Sequence, residues 1–553
     1  MPDPIVKVLL PRARWQAGIA LLCAAALIVP PAVTPAAARL ILASPAPLTI
    51  GMAQEPDTLN PLLTQSPAAQ AVESAIFDAL VRVDNHNRLQ PDLAVTWNHS
   101  RDGKTWTFHL RRGVRWADGA PLTSADVAWT YQQIANPGNQ VASTQGWDQV
   151  DRLTTPDPDT VVMHLRRWLA PWLLEVGTTA ILPKHALLKA HNLGAATFNR
   201  RPFGTGPYQV ETWIPGRRIV LTANPRSWQG RPRFTTVVFH FFPDDMDLLA
   251  ALRAGSVQVG QINAGQMAYA EQVGLRVIQA PSMTWYHVDL KQWGPLRDLA
   301  VRKPLDYATP RDQILREVAS GHGQTAFADQ APSLTPYYDP SLRPRSYLPA
   351  RASAMLAGAG YSRDASGNLN RCQTVKTTRT CTALAIALWS IQGDSFGAGI
   401  NRLLAGAWTR LGVRVTLRQA PAAQLFGPTG PQFSHAATGI TYAWTNGDDP
   451  DDRFYWDSAF IPSYPTASGG NDVAYFHRFS FQTTIDALTN LGVSTTPTAA
   501  RTVVYRRIQS LLLGQVPVIF LYWADQLWVA PPALRGFVPN PYTTFDWNIA
   551  AWR

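Results

Sequence analysis

The stretch Leu93–Tyr131, LAVTWNHSRDGKTWTFHLRRGVRWADGAPLTSADVAWTY, decides the architecture. Within it KTWTFHLRRGVRW alternates apolar and polar residues like a pair of strands, with RDG before it and ADG after it as turns. Thr123 then stands where a helix N-cap belongs, with Asp126 three residues on, so TSADVAWTYQQIA opens like a capping box. Strands that feed a helix within forty residues set the expectation of an α/β fold.

The same alternation of elements extends outward. AVESAIFDALVRV places Val72, Ala75, Ile76, Ala79, Leu80 and Val83 on one face at helical spacing. TVVMHLRR, RIVLTAN and TTVVFHFF read as strands, and MDLLAALRAG as a helix ended by Gly255. A second mixed region holds VRKPLDYATPRDQILREVASG, ARASAMLAGAGY and ALAIALW, then the helix GAGINRLLAGAWTRLG and the strand VRVTLRQA. The chain ends with the helix AARTVVYRRIQSLLLGQ and the strand VPVIFLYW. At 553 residues it exceeds one hydrophobic core. Two α/β lobes with mixed sheets follow, joined by short crossings, because no repeat or low-complexity linker separates them. The 45 prolines imply many short elements, and the 20 tryptophans large apolar or stacking surfaces.

The first residues read as a targeting segment. Lys7, Arg12 and Arg14 precede the apolar AGIALLCAAALIVPPAV, and small residues follow at 36–38. The alternative is an uncleaved anchor, but Pro30 and Pro31 shorten the stretch below a span of about 20 residues. Leu22 stands before Cys23 where a lipoprotein signal needs a small residue. Cleavage after residue 38 removes three basic residues and one acidic one, which takes the net charge from +11 to +9. The arginines are scattered, which excludes a nucleic-acid module. Cys372 and Cys381 are the cysteines that remain, and in an oxidising compartment they are expected to bond across QTVKTTRT.

Chemistry-bearing motifs are few. There is no G-x-S-x-G elbow, Walker loop, H-E-x-x-H or dinucleotide fingerprint. Pro207 in GTGPY removes an amide that a phosphate loop needs. The histidines are dispersed. What remains is TNGDDPDDRF, Thr445–Phe454, four aspartates in ten residues, preceded by Tyr442 and Trp444. It does not fit the calcium loop. A metal site, a carboxylate pair, a pocket for a cation and an acidic turn all stay open, with Asp451 and Asp452 expected to face water.

Three blocks together resemble the extracellular solute-binding proteins of family 5, the dipeptide, oligopeptide and nickel receptors of ABC importers. In the first, Trp97, Ser100, Asp102, Gly103, Leu110, Arg111, Gly113, Val114, Trp116, Asp118, Gly119, Ala125, Asp126 and Val127 match the family pattern. The second is the run from PFGTGPYQVETW to NPRSWQGRP, and the third VVYRRIQSLLLGQVPVIFLYW. The likeness runs from about residue 48 to the C-terminus. It implies a two-lobed periplasmic-binding-protein fold of the large class II type, α/β with mixed sheets in both lobes and a cleft between them. The implied division is a signal peptide at 1–38, lobe I at 45–275 with an inserted subdomain at about 75–190, lobe II at 276–524, and a return to lobe I at 525–553. Gln258, where the family has Asp, ATPR at 308–311 in place of Ala-x-Asp-Arg, and Pro304 in a normally helical segment are departures.

The resemblance also implies a site. Peptide-binding members carry an Asp three residues after a Trp, and it pairs with the peptide's α-ammonium. Trp444 matches that Trp, but the residue three on is Gly447. Asp448 comes one place later, and Asp449 matches the Asp of the family's Asp-Pro. The amine-pairing role has either slipped to Asp448 or been lost. Tyr442, Trp444, Asp448, Asp449, Trp147, Gln65 and Ser66 are the expected ligand-binding residues. The implied function is a monomeric periplasmic receptor, with no cofactor, no metal and no catalysis, that delivers short peptides to an ABC permease. A non-peptide solute such as a metal chelate or oligosaccharide is the alternative, and a secreted hydrolase using Asp448 or Asp449 the rival from another class. The order of the leader predicts a mature protein that begins near Arg39. N-terminal sequencing of the exported protein checks this, and an intact Met1 on membrane-bound protein contradicts it.

Overall fold

The computed structural model describes residues 46–190, 192–376, 378–463 and 469–553, so the leader at 1–38 lies outside it. Among the described residues no helix is long and apolar enough to cross a membrane.

The hairpin of the deciding stretch forms from Ala94–His99 and Thr105–Leu110, with Trp97 opposite Phe108. Arg101-Asp102-Gly103 makes its turn. Gly103 has φ +68°, and a Cβ there would lie 2.1 Å from the Trp168 ring, so only glycine fits. The second half of the alternating run is not a strand. The chain turns at Gly113 and makes one bridge, Arg115 to Pro121. The other neighbour of Thr105–Leu110 is Thr160–Leu165, within a four-stranded sheet. Helix Ser124–Ala135 opens where expected, the Asp126 carboxylate accepting the Thr123 N–H at 2.9 Å.

The expected helix over AVESAIFDALVRV stops at Ser74. All six residues of its apolar face are still buried. The chain beyond Ser74 is captured by GTGPY, whose Gly206 and Tyr208 N–H groups donate to the carbonyls of Ile76 and Ala75 at 2.9 and 3.0 Å. A Cβ on Gly204 would lie 2.0 Å from the Ile76 oxygen, so this glycine serves a close backbone approach. Val81–Val83 then pairs as a strand with Leu89–Pro91, and β-branched residues suit that role.

Among the described residues the main sheet has eleven strands. One end carries Tyr208–Ile214, Arg218–Ala223, Thr236–Phe241, Leu48–Met52 and Val259–Ile262. The other carries Gly439–Thr445, Ala385–Ile391 and Arg414–Ala420. Two long antiparallel strands, Val277–Leu290 and Val518–Val529, join the ends and pair with each other, and Gly323–Thr325 pairs with the latter. Their register is irregular between Pro281 and Trp285. The apolar side chains gather in several clusters, and Val493 of helix Gln482–Ser494 joins that of the first lobe. Val72, Phe108, Trp172 and Phe239 belong to the first. In the second, Val288 and Leu290 face one core and Met283 and Trp285 another, as alternation along a strand requires.

The departures noted in the sequence have local partners. Gln258 Oε1 accepts the Thr49 N–H at 2.8 Å while its Nε2 donates to the Gly255 carbonyl, and an aspartate could make only the first bond. Helix Leu299–Tyr307 keeps Pro304 inside it. Arg311 of ATPR donates to the Phe520 carbonyl at 2.6 Å and shares Asp306 with Arg345, which ties this region to a crossing strand.

Cys372 and Cys381 are directly opposed in the hairpin Leu369–Val375/Thr378–Ala383 and are disulfide-bonded. Loop-closure entropy for about ten residues assigns the bridge about 2–3 kcal/mol. The double variant Cys372→Ser/Cys381→Ser is expected to speed amide exchange in this hairpin. Unchanged exchange contradicts that contribution.

Candidate functional site

A cavity of about 520 Å³ opens between the first lobe, the loop after strand Gly439–Thr445, and the C-terminal return at 542–550. Its first-lobe wall includes Gln65, Glu73 and Asp78, then Trp147 and Glu175. Gly447 and Asp448 come from the second lobe.

The loop that carries Asp448 is pinned on every side. Trp285 Nε1 donates to Asn446 Oδ1 at 2.9 Å, and Asn446 Nδ2 to the Asp329 carbonyl at 2.7 Å. Gln330 Nε2 donates to the Pro450 carbonyl at 3.1 Å. Both oxygens of Asp449 are held by Arg501, at 2.5 and 2.7 Å, and Oδ1 also accepts the Asp451 N–H. Arg501 itself donates to the Gly492 carbonyl at 2.7 Å, from helix Thr498–Gln515. Bidentate Arg–carboxylate geometry fixes orientation as well as position. Asn87 of the first lobe reaches across to the Asp448 carbonyl at 2.7 Å. Asp448 lines the cavity, its carboxyl with backbone amides as hydrogen-bond partners and, among the described residues, no cationic side chain paired to it. Burial, then the neighbouring Asp449 charge, push it up to about 7.

Glu175 approaches the same loop from the first lobe, on helix Trp172–Gly177. Burial pushes it up to about 7, against a hydrogen bond from Gln145 at 2.7 Å, and the charges of Asp451 and Asp449 add to the rise. Glu73, also buried, is held at about 8. Asp78 is satisfied by Thr205, Trp228 and Gln229 at 2.7–2.9 Å. A basic chain has thus enclosed a cavity rich in carboxyl groups, an arrangement suited to a cationic ligand group. Among the described residues no three His, Cys, Asp or Glu side chains gather as a metal site.

The structure distributes the other expected residues differently. Gln65 and Trp147 border the cavity, Trp147 with its Nε1 on Thr179 Oγ1 at 2.8 Å and its ring stacked on Tyr131. Ser66 is the N-cap residue of helix Pro67–Ser74 and does not line the cavity. Trp444 packs on Phe454 and Tyr455, with ring centroids at 6.0 and 5.4 Å, and it too is absent from the lining. Tyr442 is enclosed in the second lobe, its hydroxyl 3.1 Å from both Asp289 Oδ2 and Tyr455 Oη. Asp451 and Asp452 do not face water. Asp451 pairs with Arg453 at 2.6 Å. Asp452 is buried beside Asp329, and burial followed by that charge holds it well above the usual carboxylate range. Glu73 and Glu175 were missed. Glu73 lies three residues before Ile76 and four after Ala69, so its place on a buried face was readable.

The model of the bacterial extracellular solute-binding proteins, family 5 middle region, matches residues 88–463. The oligopeptide-binding protein AppA of Bacillus subtilis is 23% identical over 512 residues, 91% of each chain. Its structure in complex with a nonapeptide superposes with TM-score 0.75, covering 92% of this chain and 98% of that one. The dipeptide-binding protein of Escherichia coli is 24% identical over 521 residues, 88% of this chain and 91% of the relative. NikA of Brucella suis in complex with Fe(III)-EDTA has TM-score 0.78 at 21% identity, covering 92% and 99%. With a two-lobed fold, an interlobe cavity and this match over most of its length, the chain belongs to the bacterial extracellular solute-binding proteins of family 5.

Proposed function

We propose that this protein is the extracytoplasmic receptor of an ABC-type importer and binds short peptides between its lobes. The observation that carries the reading is Asp448, a half-buried residue of the cavity wall whose carboxyl has no cationic partner among the described residues. A desolvated ammonium needs a carboxylate, since an unpaired buried charge costs several kcal/mol. Relatives named for oligopeptide and dipeptide binding support the substrate class. The mechanism is capture and closure without bond-making, with bending at the irregular register of Pro281–Trp285 and release of the ligand to a membrane permease. A hydrolase that uses Asp449 is disfavoured, because that carboxylate is committed to Arg501. The division into lobe I at 45–275, lobe II at 276–524 and the return at 525–553, like export by the leader at 1–38, belongs to this proposal.

Trialanine and N-acetyl-trialanine test the reading by calorimetry. Acetylation is expected to weaken binding to the native protein by ~2–5 kcal/mol, and Asp448→Asn to remove that difference. Equal binding of the two peptides overturns the role of Asp448. Mass spectrometry of the co-purified ligand separates peptide from a metal chelate or glycan. Asp449→Asn is expected to destabilise the fold by ~3–5 kcal/mol by leaving Arg501 buried and unpaired.

The pH dependence follows from the carboxyl at about 7. The ammonium ligand binds the ionised form, so below that value a proton must leave first. Affinity is expected to rise about tenfold per pH unit up to about 7. It then falls again above about 8 as the peptide amine loses its proton. A flat profile between pH 5 and 7 contradicts the assignment.

A further inference from the structure

Glu73 ends the buried face of helix Pro67–Ser74 and is 5% exposed. Its side chain borders the cavity, its carboxyl makes no hydrogen bond among the described residues, and Oε1 is fully enclosed. A buried polar group without a partner costs free energy that a structure rarely leaves uncompensated. Among the described residues no cation pairs with Glu73. Asp57, whose Oδ1 accepts Thr64 Oγ1 at 2.8 Å, adds a like charge. Ser74, the next residue, bonds Asp546 at 3.0 Å, and the second oxygen of Asp546 is itself without a partner. Arg82 borders the cavity too, but its charge acts on Asp78 and Asp92. A purely structural glutamic acid would still need an acceptor for its proton, and none of these neighbours bonds it.

Resting on the peptide-receptor reading, we propose that Glu73 is a second cation subsite, in the first lobe, which receives a basic side chain of a peptide whose α-ammonium meets Asp448. The ligand class is a short peptide with a lysine or arginine, and the new contact is a charge-assisted hydrogen bond from its ammonium or guanidinium to the Glu73 carboxylate. The free oxygen, the missing cation and the position on the cavity wall are then explained by one occupant. Protons follow. Burial, then Asp57, hold Glu73 at about 8, so near neutral pH the empty subsite is protonated. An entering cation favours the carboxylate, and the carboxyl proton passes to solvent.

The test is calorimetry at pH 7 with trialanine derivatives that carry lysine, or its uncharged counterpart norleucine, at each position in turn. At least one lysine peptide is expected to bind tenfold or more tightly than its norleucine partner. Titrations in buffers of different ionisation enthalpy are expected to show close to one further proton released with lysine. In Glu73→Gln both differences should shrink to within about twofold and to no further proton, with trialanine titrated in parallel to gauge general damage. Lysine and norleucine peptides that bind the native protein alike overturn the subsite. So does a lysine preference that survives in Glu73→Gln, or one without the further proton. Failure of the parent reading looks different, because then no peptide binds, trialanine included. Should Glu73→Gln not fold, the proton count on the native protein still decides.

Discussion

Strands Val277–Leu290 and Val518–Val529 run antiparallel and pair with each other across both lobes. Toward one end they pair with Val259–Ile262, and toward the other with Gly439–Thr445. The lobes therefore share a continuous hydrogen-bonded ladder and cannot separate without breaking it. Most of the apolar side chains gather in clusters within one lobe, with Val493 of helix Gln482–Ser494 packed into the cluster of the first. The irregular register at Pro281–Trp285 falls in this shared stretch. A receptor that closes on a ligand needs a durable connection that can bend.

The crossing strands also organise the loop that carries Asp448. Trp285 holds Asn446, and the neighbouring odd-numbered positions, His287 and Asp289, enter a buried polar network with Tyr442 and Tyr455. Arg501 closes the loop from the opposite side through Asp449. The four aspartates of TNGDDPDDRF thus have four environments. Asp449 is clamped, Asp451 ion-paired, Asp452 buried against Asp329, and Asp448 set in the cavity wall. A run that resembles a uniform acidic patch is a framework for one available carboxyl.

The cavity reverses the charge balance of the chain. Glu73, Glu175 and Asp448 are all raised by burial to about 7 or 8, so near neutral pH they are held at or near their point of ionisation. A cation that enters such a site gains a carboxylate partner in a medium of low dielectric, and it displaces protons as it does so. Arg82 is the cationic side chain among the described lining residues, and its charge acts on Asp78 and Asp92.

Sequence alone determined the alternation of strands and helices, the turn at Arg101-Asp102-Gly103 and the strand after it, the Thr123 helix start and the family. These are local: propensity, turn chemistry and spacing act over a few residues. It singled out the loop around Asp448 as a candidate by resemblance, and it placed on one face the residues of 72–83 that are buried. The structure alone decided that this face leaves the helix at Ser74, because the partner that captures it, GTGPY, is about 130 residues away in the chain. It also decided which aspartate is free, since Arg501 and Asp329 are distant in sequence and their pairing is a tertiary contact. Tyr442 and Trp444 showed an aromatic pattern suited equally to a pocket wall or a core, and packing assigned both to the second lobe. Glu73 and Glu175 carry no motif, and their significance comes from desolvation, which depends on everything folded around them and is written in no short stretch of residues.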